Sequence, residues 1–234
     1  MPPPLPPASP LFDPQTLSGL DAARASNSPG ADETAHAVDL AHHGRHDEAA
    51  ATLRAALAHT DDIRLLFLGF QYFFRTIDHA EAEALTERRL AITERHAETE
   101  HTARACTNLG LIHLVTGRPH SARTLMERAV AIDERLGNQH GLARDLGNLA
   151  NVFEETGDLD TAESLNRRSL EIAERIGARE IAAGKLANLG DIALARANPA
   201  EAAALWRRAL TEFEHLGLEK WRAAYAAKLA ALTL

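Results

Sequence analysis

Cysteine occurs once in the 234-residue chain, at Cys106. A single thiol excludes an intramolecular disulfide and a multi-cysteine zinc site, and it fits a reducing, cytoplasmic setting. Long apolar runs are missing as well. None approaches the ~18 residues that would cross a membrane, so no membrane association is expected. Basic charge is in short supply: the formal net charge is −8. A general nucleic-acid binder usually carries a basic excess, so no nucleic-acid partner is expected. The opening MPPPLPPASPLF starts without basic residues, and its prolines interrupt any apolar core, which argues against a secretion signal.

Motifs that carry chemistry are equally scarce. There is no HExxH. The glycine motifs LGNLAN and LGNQHG follow no strand and keep a helical period, so they do not read as phosphate loops. His36, His42, His43 and His46 are the best metal candidates, but Gly44 interrupts the helix that would align His42 with His46. Zinc needs three or four ligands in fixed geometry, and these side chains read as solvated turn histidines. Asp and Glu recur at helix-surface spacing, the pattern of a solvated face. Cys106 falls at a core place of its helix and reads as a buried, inert thiol. No catalytic residue, metal site or cofactor is expected, and the chain is not expected to be an enzyme.

What the sequence has in abundance is Ala, Leu, Arg and Glu, side chains that lose little freedom in a helix. Eight of the ten prolines lie within residues 1–30, which therefore read as an extended or disordered tail, with PPPLPP favouring polyproline II and a helical turn or two possible over Leu17–Arg24. From residue 31 a helical period begins, and with it a repeat. ARACTNLGLIHLVTGRPHSA from Ala103 returns as ARDLGNLANVFEETGDLDTA from Ala143 and AGKLANLGDIALARANPAEA from Ala183, forty residues apart each time. Gly137, Gly177 and Gly217 share that interval and follow helical runs, the usual place for a left-handed stop. Gly117 and Gly157 share it too, with Asn198 one place past the matching spot and Ile77 in the glycine's place one repeat earlier. Ala82, Ala122, Ala162 and Ala202 keep step, as do Ala129, Ser169 and Ala209. A small residue recurring at one helical place implies another helix pressed against it. Each unit is then two helices, and Leu109, Leu149 and Leu189 should be core. Trp206 and Trp221 read as packing anchors near the C-terminus.

The stretch NLG…G…A…M…A from Asn108 to Ala129 resembles the tetratricopeptide repeat. The 40-residue period is similar to the extended repeats of Pins-type and kinesin light chain scaffolds, and to those of bacterial signalling and transcription regulators. The resemblance implies an all-α fold, a right-handed α-α solenoid of about five helical hairpins plus a C-terminal capping helix. The repeats would fall at about 31–60, 61–98, 99–138, 139–178 and 179–217, with a cap at 218–234. A shorter first unit carries Gly44 and Ala49.

The resemblance also implies a concave groove lined by the first helix of each repeat. With Gly110 at the eighth place, Arg64, Arg104 and Arg144 share the second. The fifth holds Phe67, Thr107, Gly147 and Ala187. The ninth holds Gln71, Leu111, Asn151 and Asp191, the twelfth Phe74, Leu114, Glu154 and Leu194, and the thirteenth Arg75, Val115, Glu155 and Ala195. Phe67, Phe74, Leu111, Leu114 and Val115 would form an apolar strip flanked by arginines, which grip carboxylates with a planar fork. The expected partner is a protein or peptide with apolar and acidic anchors. Two alternatives stand beside this. The arginines could pair with glutamates on neighbouring turns, and the strip could be covered by the N-terminal segment or a dimer partner. Asn108, Asn148 and Asn188, at the sixth place, are expected to bond a neighbouring loop carbonyl, which leaves Asn151 as the better ligand contact. The function implied is a non-catalytic scaffold or adaptor, or alternatively a peptide-sensing regulator or a homo-oligomeric assembly module.

Overall fold

The structure is a computed structural model that describes residues 11–95 and 98–232. The PPPLPP stretch lies outside the described residues. Among those described, every regular element is an α-helix, and none is long and apolar enough to cross a membrane. The chain divides into two compact units between Gly117 and Arg118. The first unit holds α1 (Pro14–Ala25), α2 (Ala31–His42), α3 (His46–Leu57), α4 (Ile63–Arg75), α5 (His79–Glu94) and α6 (Glu100–Val115). The second holds α7 (Pro119–Leu136), α8 (Gln139–Glu155), α9 (Leu159–Ile176), α10 (Arg179–Ala195), α11 (Pro199–His215) and α12 (Glu219–Ala231). Helices pair as hairpins, α2 with α3 and α4 with α5 in the first unit, α8 with α9 and α10 with α11 in the second. Neighbouring hairpins then stack, α9 against α10 for example, and α12 covers α11.

A two-residue device makes the inner turns. One residue adopts the left-handed conformation and ends the first helix: Gly44 at φ 74°, Ile77 at 65°, Gly117 at 76°, Gly157 at 82° and Ala197 at 56°. The residue after it begins the second helix. Asp78, Asp158 and Asn198 each accept the backbone N–H three residues on, at 3.2, 3.1 and 3.3 Å. Such a side-chain cap satisfies a donor that the helix itself leaves open. The register near Asn198 is thereby corrected. The turn residue is Ala197, forty past Gly157, and Asn198 is the cap.

The recurring small residues are where helices touch. Ala82, Ala122, Ala162 and Ala202 are fully buried, and so are Ala129, Ser169 and Ala209. Ser169 keeps its hydroxyl there because Oγ donates to the Ala143 carbonyl at 2.5 Å. In the second unit the fully buried Trp206 lies over Gly190, where a Cβ would collide with the indole, and its Nε1 donates to the Ala187 carbonyl at 3.3 Å. The end of the stack is aromatic. Tyr225 of α12 is buried against Phe213 and Trp221 stacks on the same ring, with centroids 5.8 and 6.2 Å apart.

The N-terminal segment departs from the expected disordered tail. Residues 14–25 form α1, and Phe12, Leu20 and Ala23 join the core of the first unit. Proline content misleads here because Pro14 sits at the first helical turn, where its missing N–H costs nothing. Asp13 completes the start by accepting the Thr16 N–H at 2.7 Å.

Candidate functional site

The first helices of the repeats carry the residues expected to meet a partner, and each unit presents its own set. In the first unit, Arg64 is turned onto its own chain. Its Nε donates to Asp62 Oδ1 at 2.9 Å and its Nη2 to Ser26 Oγ at 3.0 Å. The cause is local: Asp62 is the N-cap of α4, so its carboxylate already stands beside Arg64. Burial opposes ionisation of Asp62, yet hydrogen bonds from Arg64 and Ser28 prevail and hold its pKa down to about 2. The arginine is therefore paired, with an aspartate rather than with the glutamates considered above. Arg104 lies 5.6 Å over the Phe67 ring, and Arg89 lies 5.0 Å from the same ring.

The fifth and ninth places of this unit are also committed. Thr107 is buried, with its hydroxyl donating to the Ala103 carbonyl at 3.1 Å, so it is a packing residue and not an open contact. Gln71 donates to Asp13 of the N-terminal segment at 2.7 Å. Phe74 is half-buried between Phe70 and His79, each 5.5 Å away. Leu111 is half-buried, Leu114 is buried, and Val115 is exposed. Of the expected apolar strip, then, Leu114 alone is buried, while the half-buried Phe67 and Phe74 pack on the core that Phe12 and Leu20 join.

In the second unit, Arg144 is likewise engaged. Its Nε donates to Asp145 Oδ1 at 2.7 Å, and a second guanidinium nitrogen lies 4.0 Å from Asp133 Oδ2. Asp133 and Asp145 are both fully buried. Burial, and then the charge of Asp145, push the Asp133 carboxyl upward, while Asn138 and Arg144 hold it back.

The faces of α8, α10 and α12 present a different surface. Asn188 Nδ2 donates to Asn151 Oδ1 at 3.3 Å, so Asn188 joins the ninth-place amide instead of a loop carbonyl. Glu154 accepts from Asn166 at 3.0 Å, and burial raises its pKa. Asp191 accepts from the Tyr225 hydroxyl at 3.0 Å and from Lys228 at 2.7 Å. The Lys185 ammonium lies over Gly147, in the space a side chain there would fill. Burial pushes its pKa down to about 8, against the pull of the Glu154 carboxylate. Among the described residues, no hydrogen bond or ion pair holds that ammonium. Side chains of α8, α10 and α12 thus bring amide donors and acceptors, a desolvated cation and three carboxylate or hydroxyl groups onto one set of helices. Lys185 was missed in the sequence because it falls at the third place of its repeat, where Leu65 and Ala105 are core. The signal was there: a lysine where two other repeats bury an apolar side chain.

The remaining candidates sit elsewhere. His42 packs edge-on against Phe12 at 6.0 Å, and His43 Nδ1 lies 2.8 Å from the Asp39 carbonyl oxygen. Cys106 is buried.

Residues 101–175 match the family model for the tetratricopeptide repeat. A comparison with curated proteins finds no match. Solved structures are similar in fold. The apo form of RapI shares 14% identity at a TM-score of 0.73, covering 84% of this chain and 74% of that one. Kinesin light chain TPR-like repeats from Podosopora anserina share 17% identity at a TM-score of 0.63, covering 85% and 97%. A Rap conjugation gene regulator of plasmid pLS20, in complex with the Phr* peptide, shares 15% at a TM-score of 0.57, covering 64% and 42%. Stacked hairpins, a forty-residue turn device and the family match together identify residues 101–175 as tetratricopeptide-repeat sequence, within a chain that has the tetratricopeptide-repeat fold.

Proposed function

We propose that the chain is a non-catalytic binding module, and that the faces of α8, α10 and α12 hold an extended peptide segment of a partner protein. The observation that carries this reading is the Asn151–Asn188 pair beside Lys185. Amides that bond each other at 3.3 Å can each also donate to and accept from a peptide backbone. Lys185 adds a partly desolvated cation for a carboxylate on the ligand. Asp191, kept in place by Tyr225 and Lys228, sits on the same helix as Lys185 and Asn188 and sets one boundary of the site. Of the arginines expected to grip acidic anchors, Arg64 and Arg144 are paired internally, so the acidic anchor is assigned to Lys185. The ligand class also fits the Rap regulator of similar fold, which was solved with a peptide bound. A peptide-sensing regulator is the form of this function that the likeness favours. Tetratricopeptide-repeat architecture suits such a role because a stacked helical surface is ordered before the ligand arrives, which lowers the entropic cost of binding.

The test is selection of a random peptide library displayed on phage against the immobilised chain. Peptides enriched by the chain and lost by Lys185→Glu and by Asn151→Ala/Asn188→Ala, with helical circular dichroism unchanged, would support the site. Equal enrichment by all three proteins would place binding elsewhere.

A further inference from the structure

Helix α1 has no hairpin partner. It packs on α4 and on α2, the first helices of their hairpins, and so lies across the row of helices that supplies a ligand's contacts in this architecture. The residues that hold it are those at ligand-facing places. Gln71, at the ninth place, donates to Asp13 at 2.7 Å. Arg75, at the thirteenth, lowers the Asp13 pKa further by its charge, although burial opposes ionisation. At the other end Arg64, at the second place, donates to Ser26 Oγ at 3.0 Å. Between these polar ends the helix is narrow. Gly19 faces α4, where an added Cβ would stand in ordinary contact, 3.6 Å from Arg64 Cβ. Phe12 stacks on Tyr72 with centroids 6.1 Å apart. The opposite side of α1, with Ser18, Asp21 and Ala22, is exposed.

We infer that α1 is an occupant, bound within its own chain, of a helix-binding face on α4 and α2, and that this face accepts in its place a partner's amphipathic helix entering with an aromatic residue followed by an acidic N-cap. The fit is chemical. Gln71 and Arg75 receive a carboxylate, Tyr72 receives the aromatic ring, and the contact at Gly19 leaves room for a small residue in the middle of the helix. The five-residue connection 26–30 keeps α1 at high effective concentration over the face. A competing helix therefore meets an occupied site, which makes release of α1 the regulated step. This inference is independent of the α8–α10 site.

The probe is a fluorescent, N-acetylated peptide of the sequence LFDPQTLSGLDAARAS, residues 11–26, titrated against the full chain by anisotropy. Two releasing variants change only α1 and the residues just before it and leave α4 and α2 intact: Phe12→Ala/Leu20→Asp, and Gly19→Trp, which crowds Arg64. Each should bind the peptide at least ~30-fold more tightly than the unaltered chain, because the cis competitor is gone. A control peptide carrying Phe→Ala and Asp→Asn at the positions of Phe12 and Asp13 should not bind. The inference is overturned if a variant that keeps the helical circular dichroism of α2–α12 binds the peptide no better than the unaltered chain. It is equally overturned if the control peptide binds as well as the parent. If both variants lose more helical signal than the 12 residues of α1 supply, α1 is a fixed part of the fold and the inference is wrong.

Discussion

Ile77 is the residue that pays most for the repeat. Its φ of 65° is left-handed, it is β-branched, and it is 77% exposed, so little packing compensates. The left-handed region costs an L-residue about 1–2 kcal/mol, and a β-branched one is a true outlier there. Ile77→Gly should therefore raise stability by ~1 kcal/mol in a chemical unfolding titration, whereas Gly157→Ile should lower it by a similar amount. The glycine pattern made these turns legible in the sequence, and Ile77 was visible as the exception. Ala197 was not, because a neighbouring Asn looked more like a turn residue than an Ala did. The buried Asp133–Asp145 pair was also invisible, since its members are twelve apart on different helices. The Asp133 carboxyl binds its proton more tightly in the folded state than in the unfolded chain. Stability from this group is thus present at acid pH and lost as pH rises through the raised folded pKa. Asp133→Asn should stabilise by ~1 kcal/mol at pH 7.5, and the gain should vanish by about pH 4. Lys185 runs the other way. Its pKa falls from 10.5 to about 8 on folding, so the unfolded chain binds more protons between those values and stability rises with pH across that window. Comparing Lys185→Met with the unaltered chain at pH 7.5 and pH 9.5 isolates the effect: the variant should lack the rise.

At the scale of helices, hairpins were readable because their signals repeat: a stop, a cap and a small residue at fixed offsets. Helix α1 was legible only as a helical turn or two over Leu17–Arg24, because it belongs to no repeat and its prolines resemble those of a tail. Its seat on α4 gives a geometric prediction. Cysteines introduced at Gly19 and Arg64 would have Cβ atoms about 3.6 Å apart, inside the usual range for a disulfide. In a Cys106→Ser background, Gly19→Cys/Arg64→Cys should oxidise readily in air and become resistant to thiol labelling until reduced. The Trp206–Gly190 contact is the corresponding test in the second unit. Trp206→Ala should cost ~3–5 kcal/mol, as removal of a fully buried aromatic does, read as a lower unfolding midpoint.

For the whole molecule, architecture and function were legible to different degrees. The period and the helix-forming composition announce a stack of hairpins, since a single hairpin cannot bury its apolar face. The division at Gly117–Arg118 carries no sequence mark, because the residues there keep the same pattern as at every other inner turn. Binding residues were the hardest to place. Register positions identify which side chains share a helix face, but pairing depends on neighbours that the register does not name. Asp62 takes Arg64, Asp145 takes Arg144, and Asp13 takes Gln71, and for that reason the proposed site is set on the polar groups of α8 and α10. Fold alone does not assign the partner; those particular groups do the selecting in the proposed site. The most direct measurement is the affinity, by isothermal titration, of the best library-selected peptide for the intact chain and for Lys185→Met. If the acidic anchor is read by Lys185, affinity should fall by ~10-fold or more in the variant, and amidating or neutralising the peptide's carboxylates should produce the same loss without any further loss in the variant. An unchanged affinity for Lys185→Met, or independent losses that simply add, would contradict the account.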